Sequence, residues 1–529
     1  MTGQLLYYRS RLNGEFQPLP VCESGDGAGP KPLLLDLSPG AISNLPGSVR
    51  RCEELAGWAV SERLDCVIAK PCGMGPGSVY QGPGEVDVFD AIACLRGAFA
   101  VDPDRISLMG GSMGGAATWY MASHYPDAFA AAAPYCGYCD YRLWTKPGGL
   151  IMRTQPWEEP SWVARGAAFR PGNLTNVGVW ITHGAWDIGI GGGVPVQHSR
   201  KMSRLLGELG IKHTYVEVPR CGHGCTFEST VRPMLRWLGR QRRQDAPARV
   251  RLTAHGLRHN RSHWVAIEQF DSYGQPAQAD ARRDKSGVTV RTRNVRRLAL
   301  GPMAGGAVKL TIDGQSLGRV SLARPVVFVQ TAGRWRRGRA AGRGQKRPGS
   351  SGPIGDVFFH PLRLVAGTAG GAHEKAVIQW MAGAIPGYFM QHNGGVHRGI
   401  FDGQSNYRIP VVKDVELSEE DLAGCNLLLL GTPRSNRLLR RFAEKLPLEV
   451  GRGRIELAGR TYKGRRLGVC MCLPSPVNPE RLWVITAGAT PEALTDATHL
   501  HLQLLPDYLV WDGERMVDYG FFDNNWRIG

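Results

Sequence analysis

Apolar residues in this chain follow three successive rhythms, and the changes between them divide it. Over the first half, solid apolar runs alternate with stretches of helical spacing. "PLLLDL" ends at Leu37, "RISLMG" covers 105–110, "AFAAAAP" covers 128–134, Val177–Thr182 lie within "VGVWITHG", and "HTYVEV" closes at Val218. Runs this solid predict strands buried on both faces, as in a parallel sheet covered by helices. Between them "MGGAATWYMASHY" predicts a helix that stops before Pro126, and "RPMLRWLGRQRR" a closing helix ahead of the linker "QDAPAR".

Beyond the linker the rhythm changes to alternation. "RVRLTAHGL", "SHWVAIEQF", "GVTVRTRNV", "AVKLTIDG" and "PVVFVQT" are broken by "DSYGQ", "DKSG" and "DGQ" turns, the pattern of half-buried strands in a small β-sandwich-like module. A third rhythm then sets buried strands ("LRLVAGT", "CNLLLLGTP", "RLWVITAG") among helical stretches ("EKAVIQWMAGAI", "NRLLRRFAEKL"), which reads as a second α/β unit. The expected organisation is an α/β domain over 1–246, a β-rich module over 247–330, a basic connector over 331–355 and a C-terminal α/β domain over 356–529. At 529 residues and 43% hydrophobic content the chain has length and apolar material for several cores.

Charge adds one question. Of the formal +18, nine Lys or Arg and no acid fall between Asp313 and Asp356. Gly, Ser and Pro are mixed into the densest part, "GRWRRGRAAGRGQKRPGSSG", where Trp335 is the one aromatic platform, so this stretch reads as a solvated connector, and nucleic acid is not an expected partner. No apolar run approaches the roughly 18 residues of a membrane span, and "MTGQLLYYRSRLNG" lacks the build of a signal peptide. A soluble, cytoplasmic chain without a membrane partner is expected, with export open to a chain whose signal has been removed. Twelve cysteines are too sparse for a disulfide scaffold. Cys136 and Cys139 in "CGYC", and Cys221 and Cys225 in "CGHGC", suit reduced thiols better than a rim disulfide, and a disulfide better than zinc. No metal or other cofactor is expected.

The chemistry gathers at "LMGGSMGGAATW". Ser112 stands between Gly110–Gly111 and Gly114–Gly115 where a strand passes into a helix, the setting of a G-x-S-x-G nucleophile elbow. A serine hydroxyl needs a base, and the base needs a carboxylate to hold its tautomer. Asp187 follows the strand that ends at Thr182, and His223 follows the strand that ends at Val218. Both lie past C-terminal strand ends, the edge at which a parallel sheet gathers its site. Asp36, Asp90 and Asp127 do not occupy such loops. His183, four residues before Asp187, suits a structural part better than proton transfer.

With these residues in view, 1 to about 245 resembles an α/β-hydrolase of the prolyl oligopeptidase-like group, in its feruloyl-esterase and polyhydroxybutyrate-depolymerase branch. "VDPDRISLMGGSMGGAATW", "YPDAFAAAAPYCG", "HGAWD" followed by "VPVQHSRKMSRLLGELG", and "VEVPRCGHG" carry the likeness. It implies Ser112 as nucleophile, Asp187 as orienting acid and His223 as general base. The L-H-G turn usual after the early strand is replaced by Leu37, Ser38, Pro39 and Gly40, and Pro39 has no N–H to give. Met113 N–H is then the first oxyanion donor, and Gly40, Ala41 or the Ser38 side chain the second.

The fold class expected is therefore an N-terminal α/β-hydrolase fold, the β-sandwich-like module and the second α/β unit. The function expected is a serine hydrolase working through an acyl-enzyme, a carboxylesterase before a prolyl oligopeptidase-like serine peptidase, with a catalytically weak binding protein as the third reading. Its partner is a small-molecule ester or short peptide. Tyr135, Tyr138, Trp144 and Trp186 are the aromatic candidates for holding it, with Tyr141, Trp157 and Trp162 nearby. "LLLLGTPRSN" in the last unit lacks the P-loop lysine and the dinucleotide glycines, and is read as structural or substrate-shaping.

Overall fold

A computed structural model describes residues 2–38, 44–75, 79–143, 145–146, 149–150, 154–189, 193–391 and 407–528. The solid apolar runs of the first half form the middle of an eight-stranded sheet. Its strands are β1 Gln4–Arg9, β2 Phe16–Ser24, β3 Lys31–Asp36, β4 Cys66–Ala69, β5 Val101–Gly111, β6 Ala131–Tyr135, β7 Gly178–Gly184 and β8 Thr214–Val218. The spatial order is β1-β2-β4-β3-β5-β6-β7-β8. The β1–β2 and β2–β4 pairs are antiparallel, and from β4 to β8 every neighbour is parallel. Every residue of β3, β4 and β6 is buried, as expected of strands covered on both faces.

Two layers of helix supply the cover. Leu45–Ser61 and Glu228–Leu238 press Leu55, Ala59, Met234 and Leu238 onto one face. Pro83–Ala98, Met113–His124 and Gln197–Glu208 press Val88, Leu95, Trp119, Met121 and Leu206 onto the other. This is the α/β-hydrolase arrangement, and the C-terminal ends of β5, β7 and β8 open at the same edge.

The alternating segments build two five-stranded sheets around one core containing Leu252, Ile267, Phe270, Val290 and Phe328. Two parts of the sequence reading change here. Ala277–Asp284 is a full strand between Arg249–Ala254 and Gly287–Arg293. Its inward positions are Ala277, Ala279 and Ala281, side chains too small to register as an apolar run. The basic stretch is not all connector either: Arg334–Arg337 pairs with Val326–Thr331 as an edge strand. Trp335, the one aromatic of that stretch, is 1% exposed and donates its indole N–H to Asp313 at 2.9 Å, so it offers no stacking face.

The last unit is a seven-stranded mixed sheet in which Leu362–Ala366, Asn426–Leu430 and Leu482–Gly488 run parallel at the centre. Lys346 is a bolt between units. It is fully buried, ion-paired to Asp507, and its Nζ lies 4.0 Å from the Tyr273 ring centre. Among the described residues no helix is long and apolar enough to cross a membrane.

Candidate active site

The turn from β5 into the helix Met113–His124 is tight because three backbones meet there. A Cβ on Gly114 would lie 2.3 Å from Leu37 O, and one on Gly115 would lie 2.6 Å from Tyr135 O. Ser112 at the apex has φ 56° and ψ −117°, a left-handed conformation that costs a side-chain-bearing residue energy and throws the hydroxyl clear of the sheet. Two hydrogen bonds hold it there: Ser112 N–H to Tyr135 O and Ala116 N–H to Ser112 O, each 3.0 Å. Met113 N–H lies in the first helical turn, where no intrahelical carbonyl reaches.

From Ser112 a chain of hydrogen bonds runs across the strand ends. Ser112 Oγ is 2.8 Å from His223 Nε2, and His223 Nδ1 is 2.6 Å from Asp187 Oδ2. Asp187 is 2% exposed. Its burial opposes the charge, but hydrogen bonds from His183 and His223 prevail and hold the carboxyl well below the usual carboxylate range. His223 is pushed up to about 9, first by its bond to Asp187 and next by Cys136.

His183, read from its position as structural rather than catalytic, lies beside the acid. It is fully buried, with Nε2 facing two acceptors, Val194 O at 2.8 Å and Asp187 Oδ2 at 3.2 Å. Nε2 therefore carries the proton, and Nδ1 accepts from Ser199 Oγ at 2.7 Å. One carboxylate oxygen thus receives N–H donors from two histidines.

Ser112 and His223 open into a cavity of about 500 Å³ shared with Ser38, Arg51, Lys70, Tyr135 and Cys136. Its cations were not singled out in the sequence. Lys70 follows β4 directly, so the strand-end rule that found Asp187 and His223 also points to it. Arg51, on the helix Leu45–Ser61, gave no local signal. Below them lies Asp36, fully buried, 3.9 Å from Lys70 Nζ and 3.8 Å from Arg51 Nε. Burial opposes its charge, and the two cations outweigh that and lower its pKa. Lys70 also donates to Ser38 O.

The Ser38 backbone N–H is engaged by Asp36 Oδ1 at 3.0 Å. Its hydroxyl accepts the Gly111 N–H at 3.0 Å and lies 3.0 Å from the Tyr135 hydroxyl. Gly40 and Ala41 lie outside the described residues, as does Trp144. Of the remaining aromatic candidates only Tyr135 lines the cavity. Tyr138 packs instead with Met113, Trp162 and Leu504, the last from the C-terminal unit. Trp186 is 64% exposed beside Asp187, and Ile188 and Phe227 on the same two loops are also exposed.

All twelve cysteines are free thiols. Cys136 Sγ is 3.2 Å from Cys225 Sγ, while Cys139 Sγ is directed at His198 O at 3.3 Å. Cys136, Asp187 and His223 each offer a ligand atom within 4.8 Å of the others. An ion held there would draw His223 away from Ser112, because both ring nitrogens are already committed.

Residues 78–242 match the Prolyl oligopeptidase family. An uncharacterized secreted protein of Arthroderma benhamiae is 36% identical over 141 residues, 25% of this chain and 14% of that protein. Poly(3-hydroxyalkanoate) depolymerase C of Paucimonas lemoignei is 27% identical over 144 residues, 26% of this chain and 34% of that enzyme. The chain therefore spans about a third or less of the curated relatives it matches. A solved thermostable esterase is 21% identical, with TM-score 0.33, covering 46% of this chain and 63% of its own. The segment 78–242 is thus similar to the Prolyl oligopeptidase family, and it lies in the α/β-hydrolase sheet whose C-terminal strand ends carry Ser112, Asp187 and His223, with a C-terminal extension beyond it.

Proposed function

We propose that this protein is a carboxylic ester hydrolase that works through an acyl-enzyme on Ser112. The observation that carries the reading is the unbroken hydrogen-bonded series Ser112–His223–Asp187 at a strained elbow. His223 Nε2 takes the Ser112 proton as Oγ attacks the carbonyl, and then returns it to the leaving alkoxide. Asp187 holds the tautomer and steadies the imidazolium that forms between these steps. Met113 N–H is the first oxyanion donor, and the Ser38–Tyr135 hydroxyl pair supplies the second.

Two features support esters over peptides. An alkoxide leaves with less protonation than an amine, which suits an oxyanion site whose second donor is a hydroxyl rather than an L-H-G backbone N–H. Exposed Trp186, Ile188 and Phe227 beside the acid and base loops suit an apolar substrate group better than an extended polar backbone. The test is labelling with a fluorophosphonate probe, with and without Ser112→Ala, followed by turnover of p-nitrophenyl and feruloyl esters beside prolyl and alanyl anilides. Labelling lost in Ser112→Ala and faster ester turnover are expected. Faster anilide turnover would make the enzyme a peptidase, and absent labelling would make it a binding protein on a hydrolase frame.

A further inference from the structure

A second cavity, of about 90 Å³, lies where the three units meet and shares no lining residue with the catalytic one. Arg165 and Arg170 line it from the hydrolase unit, His255 and Arg258 from the β-sandwich, and Asp356 and Gln503 from the C-terminal unit. Burying a guanidinium is expensive unless an anion compensates it. Arg258 has that compensation, lying 3.4 Å from Glu85. Glu85 is fully engaged, accepting also from Tyr120 at 2.7 Å, from His259 at 3.0 Å and from Tyr125.

Arg170 does not. It is 1% exposed and donates to a neutral carbonyl, Ala164 O, and among the described residues its Nε–H has no partner. Arg165, half-buried, also lacks a carboxylate partner among the described residues. Its terminal nitrogens reach Ser161 O and Gln503 O, and its Nε–H is unpartnered. Among the described residues neither arginine pairs with a carboxylate. His255 lines the same wall as a neutral imidazole, its pKa pushed down to about 3 first by burial and next by Arg170. Asp356, on the same wall, accepts from Ser351 Oγ at 3.2 Å and pairs with neither Arg165 nor Arg170 among the described residues.

We propose that this cavity binds a small oxyanion, a carboxylate or phosphate group, held by Arg165 and Arg170. Two guanidinium groups with unpartnered Nε–H donors line a space that holds several waters or one such group, and the anion supplies the negative charge that neither arginine has from a paired carboxylate. Because the lining comes from all three units, the bound anion ties them together.

The test is thermal unfolding and calorimetric titration of the full-length protein with inorganic phosphate and with acetate, against chloride at matched ionic strength. One of the two oxyanions is expected to raise Tm in a saturable way, and the more effective one identifies the group. Lys70→Met, which alters the cationic catalytic cavity, should keep the shift, whereas Arg170→Gln should weaken binding about tenfold or more, the loss of one charge-assisted contact. Should Arg170→Gln fail to fold, Arg165→Gln decides, with the same direction expected. Neither oxyanion exceeding chloride, or a shift that survives Arg170→Gln or Arg165→Gln undiminished, overturns the proposal.

Discussion

Asp187→Asn is expected to cost about 10- to 100-fold in kcat, far less than the roughly 10⁴-fold that follows when an amide forces the wrong histidine tautomer. The difference lies in what faces each carboxylate oxygen. Oδ2 receives N–H donors from His223 at 2.6 Å and His183 at 3.2 Å, whereas among the described residues Oδ1 receives only Gly189 N–H at 3.4 Å. An asparagine that turned its NH₂ toward the histidines would set it against two donors. Turned the other way, it meets one distant donor and keeps its carbonyl on both rings. The second orientation preserves the useful tautomer and sacrifices only the charge. A hydrogen bond to a charged partner is worth about 1.5–3 kcal/mol and a neutral one about 0.5–1.5, so the loss is about 1–1.5 kcal/mol, or tenfold, and larger at the transition state where His223 is cationic. Removing the carboxyl altogether, as Asp187→Ala, should cost at least tenfold more. The assay is single-turnover acylation by a p-nitrophenyl ester at several pH values, with a thermal melt to establish the fold. The acid limb of Asp187→Asn should also move to lower pH, since the largest influence raising the His223 pKa has weakened. Equal losses for Asn and Ala, near 10⁴-fold, would show that the amide presents its nitrogen and that His183 does not set its orientation.

Three further outcomes are expected. For the parent enzyme kcat/KM should fall as pH drops through the raised His223 pKa, since only neutral imidazole accepts the serine proton, and Cys136→Ser should shift that limb downward by removing the second influence that raises it; an unmoved limb would show that the thiol has no effect on His223. Gly114→Ala should destabilise by about 1–3 kcal/mol and reduce turnover, as its Cβ would lie 2.3 Å from Leu37 O and push the elbow away from the end of β3; urea unfolding and ester turnover report the two effects. Lys346→Met should cost about 3–5 kcal/mol in chemical unfolding because it strands buried Asp507, and a cost below 1 kcal/mol would mean that the pair is not the bolt between units described above.

Local rules made much of this protein readable. A solid apolar run marks a strand covered on both faces wherever it occurs, and glycines around a serine at a strand–helix join mark a crowded turn. Ser112, Asp187 and His223 could be named together because each follows a strand, and parallel strands deliver their C-terminal ends to one edge. Other features depended on contacts between distant segments. Arg334–Arg337 is a strand only because Val326–Thr331 offers an edge, and Ala277–Asp284 because its alanines meet larger side chains across the sandwich. His183 became a partner of Asp187 through the path of its loop back past Val194. The cationic floor of the catalytic cavity, with Asp36 under Arg51 and Lys70, draws on three separate elements. The cavity of Arg165, Arg170 and His255 exists only because three cores stop short of one another. Spacing along the chain carries strand and turn chemistry, because those depend on neighbours in sequence. Electrostatic balance in the interior depends on which charges folding brings within a few ångströms, and that is decided by packing alone.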